Sequence, residues 1–305
     1  MTAAVEHALY RGDALDLGAK LGDRRFRLTY LDPPYAVGMK HRARGEKGDR
    51  AAGEVAYVDA GARSALLEML GPRLRVLREL MAVDGSLWLH LDQRAAHEAK
   101  VLCDGIFGAR AFMGEIIWVP GNGARGGFPA THQTILVYAR ADASRALFRG
   151  DDPAMREPYA ATSQKMHFQR VDEQGRRYRE RTIANKTYRY YADVGRRRGS
   201  VWTDLPAMSA NTPLRREATG YPTQKPLGLL DRIVRASTEP GDWVLDPMCG
   251  SGTTVEAALR AGRSAVGNDE SAMAFEIATA RIAACVASIS TGRADAGESE
   301  RPESC

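Results

Sequence analysis

Cysteine is scarce in this chain and follows no pattern. Cys103, Cys249, Cys285 and Cys305 are the only four in 305 residues, and no two stand at metal-ligand spacing. That argues against a structural zinc site and a disulfide framework, and it suits a reducing cytoplasm. No apolar run is long enough to lead to the expectation of a bilayer-crossing helix. The N-terminal MTAAVEHALYRGD has no basic stretch followed by an apolar one, so no secretion signal is expected. Internal repeats are absent. The length is ample for one large hydrophobic core with room for an insertion.

The overall excess of basic over acidic residues is also small: 43 Lys and Arg face 38 Asp and Glu, a formal net charge of +5. The excess is confined to one segment. Between Arg140 and Glu217 there are 17 basic against 10 acidic residues, while the remainder carries 26 against 28. A local basic surface suits a polyanionic partner, although a solvated arginine-rich insertion reads the same way.

Strand and helix patterns alternate over most of the chain. RFRLTYL (25–31) reads as a strand stopped by Asp32-Pro33-Pro34. Residues 64–85 carry apolar side chains at helical spacing, with an interruption expected at Gly71-Pro72. SLWLHL (86–91), GEIIWV (114–119) and QTILVYA (133–139) read as strands, and 96–108 as a helix closed by glycine. The polar segment 41–54 reads as a loop. Alternation stops at about residue 140 and resumes with a helix at 225–238, a strand at 242–246, a helix at 253–262, a strand at 264–269 and a helix at 271–289. The pattern implies an α/β sheet with helices on both faces and a basic insertion. The expected units are a core half over 1–140, an insertion over 141–220, a second core half over 221–289 and a disordered tail over 290–305.

Two stretches carry chemistry. In VLDPMCGSGTTVEAALRAGRSAVGND a strand ends at Asp246, a glycine turn at Gly250-Ser251-Gly252 opens a helix, and the next strand ends at Asp269. Such a turn lets backbone approach a ligand, and the helix start offers N–H groups. Asp269 is placed to accept from ribose hydroxyls. No Lys follows the glycines, so a phosphate-gripping loop is not expected, and the spacing departs from G-x-G-x-x-G. The extra acid, Asp246, favours a ligand with a cationic amino-acid part, such as S-adenosylmethionine. The second stretch is LDPPY (31–35). Its prolines fix the backbone and remove two donors, so the Asp32 carboxylate and the Pro33 carbonyl can present two acceptors to one amino group. Tyr35 can stack on the ring that bears that group. A capping Asp in a proline turn beside a half-buried Tyr is the plain alternative.

LDPPY and DPMCGSG together resemble the amino-directed DNA methyltransferases, which modify adenine N6 or cytosine N4. With the LDPPY piece preceding the glycine turn, the chain is similar to the beta group, over about Tyr10 to Ile289. The resemblance implies a circularly permuted, Rossmann-like methyltransferase sheet with helices on both faces and an inserted basic recognition subdomain. Residues 1–140 become the catalytic half, 141–220 the target-recognition subdomain and 221–289 the half that binds S-adenosyl-L-methionine. Catalytic roles are implied for Asp32, Pro33, Pro34 and Tyr35. Asp13, in YRGDALDLGAKL, is implied to lie near the cofactor adenine, and Thr223, Gln224 and Lys225, in GYPTQKPLGLL, to contact its methionine part. Further cofactor contacts are implied for Asp246, Pro247, Met248, Cys249, Gly250, Ser251, Gly252, Thr253 and Asp269. Met248 departs from the family's usual Phe, but Met is apolar and adaptable, so the contact is expected to survive.

The implied reaction is direct methyl transfer to the amino group of a base flipped out of double-stranded DNA, with no metal. Asp at the first position of LDPPY favours adenine N6, where Ser would favour cytosine N4. Arg196, Arg197 and Arg198 are candidates for phosphates or guanine edges, and Lys47 for the DNA backbone. Tyr188, Tyr190 and Tyr191 either pack a small sheet or touch bases. His132 reads as structural or DNA-proximal. No base is placed to activate Cys249. A homodimer and a cognate restriction endonuclease are further candidate partners, no membrane partner is expected, and the expected place is the bacterial cytoplasm, at the nucleoid. Three rivals stand beside this reading: a methyltransferase of RNA, protein amides or small amines, a non-catalytic DNA-binding protein, and a nicotinamide oxidoreductase.

Overall fold

The computed structural model describes residues 5–34, 40–42, 55–58, 63–121, 130–208 and 216–292. An eight-stranded sheet organises them. In chain order its strands are β1 (His7–Arg11), β2 (Phe26–Leu31), β3 (Met81–Asp92), β4 (Phe112–Trp118), β5 (Gln133–Ala139), β6 (Val201–Trp202), β7 (Trp243–Asp246) and β8 (Ser264–Asp269). In space the order is β1-β8-β7-β2-β3-β5-β4-β6. The five strands from β1 to β3 run parallel. β5 runs against both of its neighbours. Val244 pairs with Leu28 and Leu245 with Thr29, so the two halves of the core meet through adjacent strands far apart in sequence.

Parallel strands need cover on both faces. The five longest helices supply it: α1 (Arg63–Leu80), α2 (Ala96–Phe107), α3 (Leu227–Ser237), α4 (Thr253–Arg260) and α5 (Ala272–Ser290). On one face Leu66, Leu70, Leu74 and Leu77 of α1 pack with Leu87, Leu89 and Leu91 of β3. On the other, Leu28, Tyr30 and Trp88 pack with Leu229, Leu230, Ile233 and Val234 of α3. The alternation along β3 feeds both cores. A register shift between Phe26 and Leu28 turns Phe26 to the same face as Leu31. Gly85 makes that possible, because a Cβ there would stand 2.7 Å from the Phe26 carbonyl oxygen.

Three sequence expectations change. First, α1 runs through Pro72 without a break. A proline inside a helix costs about 3 kcal/mol, whereas burying four leucines contributes roughly 1.5–3 kcal/mol each, so packing wins. The helix stops at Leu80, and β3 begins immediately, five residues earlier than its apolar stretch suggested. Second, His7–Arg11 forms an edge strand beside β8 that its mixed composition did not announce. Third, α5 is long and apolar enough, by length and composition, to cross a membrane. Its many alanines hide this from a search for unbroken apolar runs. Here it packs against α4, β1 and β8 through Ala274, Ala278, Ile282 and Cys285.

The segment 141–220 departs from α/β order. It holds the helix Ala161–His167, an antiparallel hairpin of Arg177–Ile183 and Lys186–Tyr191, and a two-stranded ladder of Arg156–Glu157 with Arg196–Arg197. It also returns β6 to the edge of the main sheet. Residues 40–42 and 55–58 pair antiparallel at the two ends of the segment expected to be a loop. Its remainder, 43–54, lies outside the described residues, as does 293–305 of the expected tail.

Candidate functional site

Ligands of open α/β sheets bind beyond the carboxyl ends of the parallel strands. Four adjacent strands end in, or lead directly to, an acid on that edge. Their order across the sheet is Asp13 after β1, Asp269 on β8, Asp246 on β7 and Asp32 after β2. All four line one cleft of about 530 Å³, together with Pro33, Pro34, Thr223, Gln224, Lys225 and most of the glycine turn. The cleft carries five acids, counting Glu270, against Arg73 and Lys225. Its electrostatics favour a cationic ligand.

The glycine turn is held from beneath. Asp269 accepts from the Gly250 N–H through Oδ2 and from the Ser271 N–H through Oδ1, both at 2.9 Å. A carboxylate has further lone pairs to offer, so it can brace the turn and still accept from a ligand hydroxyl. Gly250 has φ +49°, and a Cβ there would stand 3.0 Å from the Tyr221 ring. Gly252, at φ +76°, starts α4; a Cβ there would meet Ala278 of α5 at 3.1 Å. Gly252 does not line the cleft, so its task is to seat α4 on α5. Arg281 of α5 reaches back under the turn, 2.9 Å from the Thr253 hydroxyl, and is paired with buried Glu256.

Asp246 is almost fully buried, and its carboxyl is pushed up to about 7. Burial is the main cause, with the carboxylates of Asp32 and Asp269 adding to it against hydrogen bonds from Thr254 and the Met248 N–H. Asp32 pairs with the buried ammonium of Lys225, which comes from the far side of the insertion. Beneath them the Tyr30 hydroxyl lies 2.7 Å from His90 Nδ1. Burial and the Lys225 charge hold the His90 imidazole down at about 3, so it is neutral at physiological pH. Burial, with the nearby acids, keeps the Cys249 thiol well above its ordinary value, which makes it no nucleophile.

Some residues stand differently from expectation. Lys225 holds Asp32. Gln224 lines the cleft, but its Oε1 accepts from Thr219 N at 3.0 Å and its Nε2 donates to the Glu217 carbonyl at 2.7 Å. It braces the turn in which Thr223 takes the left-handed φ of +59°. Asp13 is paired with Arg73 at 2.5 Å. Arg73, Met69 and Tyr221 also line the cleft and were not foreseen. Tyr221 sits two residues before Thr223, so its neighbourhood was a usable signal; Arg73 and Met69 lie on α1 with no local mark. Arg196 and Arg197 are exposed and paired with Glu157 and Asp151, each at 2.7 Å. Arg198 is turned inward, 11 % exposed, and paired with Asp204 at 3.1 Å. A guanidinium so committed is a tie within the insertion, and the expectation of a DNA contact there is dropped. Tyr35 and Lys47 lie outside the described residues.

An acid-lined edge beside a glycine turn, reached from both ends of the chain, defines a nucleotide-type ligand site on a Rossmann-like sheet. The chain belongs to the N6/N4 DNA methylase family, whose model matches residues 26–280. It is 29 % identical over 301 residues to the type II methyltransferase M.EcaI of Enterobacter cloacae, covering 85 % of this chain and 65 % of that protein. The chain thus spans just under two thirds of that relative. In fold it is similar to the Thermus thermophilus protein TTHA0409 complexed with S-adenosyl-L-methionine, with a TM-score of 0.54, 20 % identity and cover of 92 % of this chain and 96 % of the other. It is likewise similar to the PvuII cytosine-N4-specific DNA methyltransferase, with a TM-score of 0.56, 14 % identity and cover of 95 % and 94 %.

Proposed function

We propose that this chain transfers a methyl group from S-adenosyl-L-methionine to the exocyclic amino group of a base flipped out of duplex DNA, with adenine N6 as the target. The observation that carries this reading is the convergence of Asp32 and the glycine turn in one cleft, through the pairing of β2 with β7. The residues fit the cofactor. Gly250 leaves a cradle that a Cβ would fill, and the acids match a molecule with a cationic amino-acid part and ribose hydroxyls. Asp246 would meet the cationic part, Asp269 the ribose and Asp13 the adenine end. When bound, S-adenosylmethionine would supply an electrophilic methyl group: its methyl–sulfur bond would break as the nitrogen–carbon bond forms, the sulfur leaving as the neutral thioether of S-adenosylhomocysteine, and the methylated amine would lose one proton to solvent.

The chain's own residues do the positioning. Asp32 and the Pro33 carbonyl accept from the two N–H groups of the target amine and stabilise positive charge as it grows. Lys225 fixes one oxygen of Asp32 and keeps that carboxylate in place. Tyr35 stacks on the base, a contact worth about 1–3 kcal/mol. The expected segment 141–220 serves as the recognition subdomain. Work on duplex DNA would place the protein at the nucleoid. The type II naming of M.EcaI supports a restriction–modification setting with a cognate endonuclease, and a homodimer is a further part of the proposal.

The test is mass analysis of nucleosides from duplex DNA, RNA and protein incubated with the chain and labelled cofactor. N6-methyladenine is expected in DNA. Asp32→Ala should cut the rate by about a thousandfold or more while cofactor binding, read by calorimetry, stays within about threefold. Lys225→Met should act in the same direction. N4-methylcytosine alone would move the target base to cytosine; label confined to RNA or protein would overturn the DNA reading.

A further inference from the structure

Resting on that reading, we propose that the tip of the hairpin formed by Arg177–Ile183 and Lys186–Tyr191 enters the major groove of the duplex, with Arg181 and Lys186 as its DNA contacts. The two strands are joined by Ala184 and Asn185, both at positive φ (47° and 61°). That is the two-residue turn whose twist matches a right-twisted ribbon, so the tip is a defined shape. The base of the hairpin is anchored. The Arg179 guanidinium lies 5.2 Å from the ring of fully buried Phe168 and 5.3 Å from Tyr159. On the opposite face Arg189 covers Tyr178 at 4.2 Å and Arg176 covers Tyr191 at 4.0 Å.

Beyond that anchor the character changes. Every residue from 181 to 189 is exposed, and none is acidic. The one acid of the hairpin, Glu180, is taken up by Arg170 and Arg189 on the other face. Arg181 lies opposite Tyr188, and Ile183 opposite Lys186. Because side chains alternate along a strand, these four share one side of the ribbon. Arg181 and Lys186 have no carboxylate partner among the described residues. The side facing away carries Thr182 and Thr187, their hydroxyl oxygens 3.0 Å apart. Tyr190 and Tyr191 therefore pack the subdomain, whereas Tyr188 points outward with the two cations.

A two-stranded ribbon has the width of a B-DNA major groove, and cations with hydrogen-bonding side chains at its tip suit guanine edges and phosphates. The basic excess of the insertion is largely cancelled elsewhere by ion pairs, including Arg176 with Asp193 and Arg197 with Asp151. At the tip it is not, and that is where an anionic partner gains most.

The experiment measures duplex DNA binding against salt concentration for the full chain, the double variant Arg181→Ala/Lys186→Ala and the opposite-face control Thr182→Ala/Thr187→Ala. The double variant should bind about 10- to 100-fold more weakly, with the slope of log K against log salt reduced by about two. Its melting temperature and cofactor affinity should match the parent, and the control should behave as the parent. Methylated positions sequenced from a methylation-free host should show relaxed site choice. A double variant with the parent's affinity, slope and site choice overturns the hairpin assignment while leaving the methyltransferase reading intact. A variant that loses binding to RNA but not to duplex DNA overturns it as well. A parent that neither binds nor methylates duplex DNA ends both.

Discussion

The cleft and the insertion are both rich in charge, and they use it in opposite ways. In the cleft, five acids and two bases come from strand ends and helices far apart in sequence; Asp246 and Lys225 are buried, Asp13, Asp32, Arg73 and Asp269 half-buried and Glu270 exposed. Burial pushes the Asp246 carboxyl up to about 7, with the carboxylates of Asp32 and Asp269 adding to it. In the insertion, arginines meet acids at the surface. Arg197 and Asp151 are each about two-thirds exposed on their side chains. Exposed pairs contribute roughly 0–1 kcal/mol, so those arginines are not kept for stability. A buried charge survives only with a designated partner, whereas an exposed one is free to exchange its partner for an incoming phosphate.

Four substitutions sharpen this contrast. The largest effect should come from Arg281→Met, which leaves buried Glu256 with Arg260 alone beneath the glycine turn. Breaking a buried pair from one side typically costs about 3–5 kcal/mol. Denaturant unfolding should show a loss of that order, and Glu256→Gln added to it should recover part. A single variant as stable as the parent would mean that the network holds nothing up.

A smaller effect concerns acidity. The folded-state value of Asp246 lies above its ordinary value of 3.8, because burial favours the neutral form. Burial of that carboxyl therefore costs least below about pH 4, and the penalty grows as pH rises towards 7. A cationic ligand reverses the preference. Cofactor affinity should rise by up to about tenfold per pH unit below 7 and level off above it, with proton release seen in calorimetry across buffers. Asp246→Asn should flatten the profile; a flat profile in the parent protein would remove the carboxyl from cofactor binding. The smallest change is expected from Arg197→Ala. Its exposed pair with Asp151 should shift the melting temperature by no more than about 2 °C.

Several parts of this picture were legible in the residues. LTYL followed by two prolines, and VLDP followed by a glycine turn, announce strand ends that carry an acid, and both stand as read. Gln224 and Lys225 were placed at the cleft, but their partners were not: a local stretch reveals that a lysine is near a turn, not that an aspartate 193 positions away will meet it. Arg73 was invisible for the same reason, being one more arginine on an amphipathic helix until α1 is laid beside Asp13. Arg196, Arg197 and Arg198 looked equivalent as a run. The two-stranded ladder with Arg156–Glu157 breaks that equivalence by turning the third one inward.

Which chemical group terminates each strand is a matter of local order along the chain, because turn-forming prolines and glycines act on their immediate neighbours. Which groups then act together depends on the order of strands in the sheet. Placing β7 beside β2 sets Asp246 about 5 Å, one strand spacing, from the strand of Asp32, and only that proximity couples their charges and makes a single cleft of two distant segments.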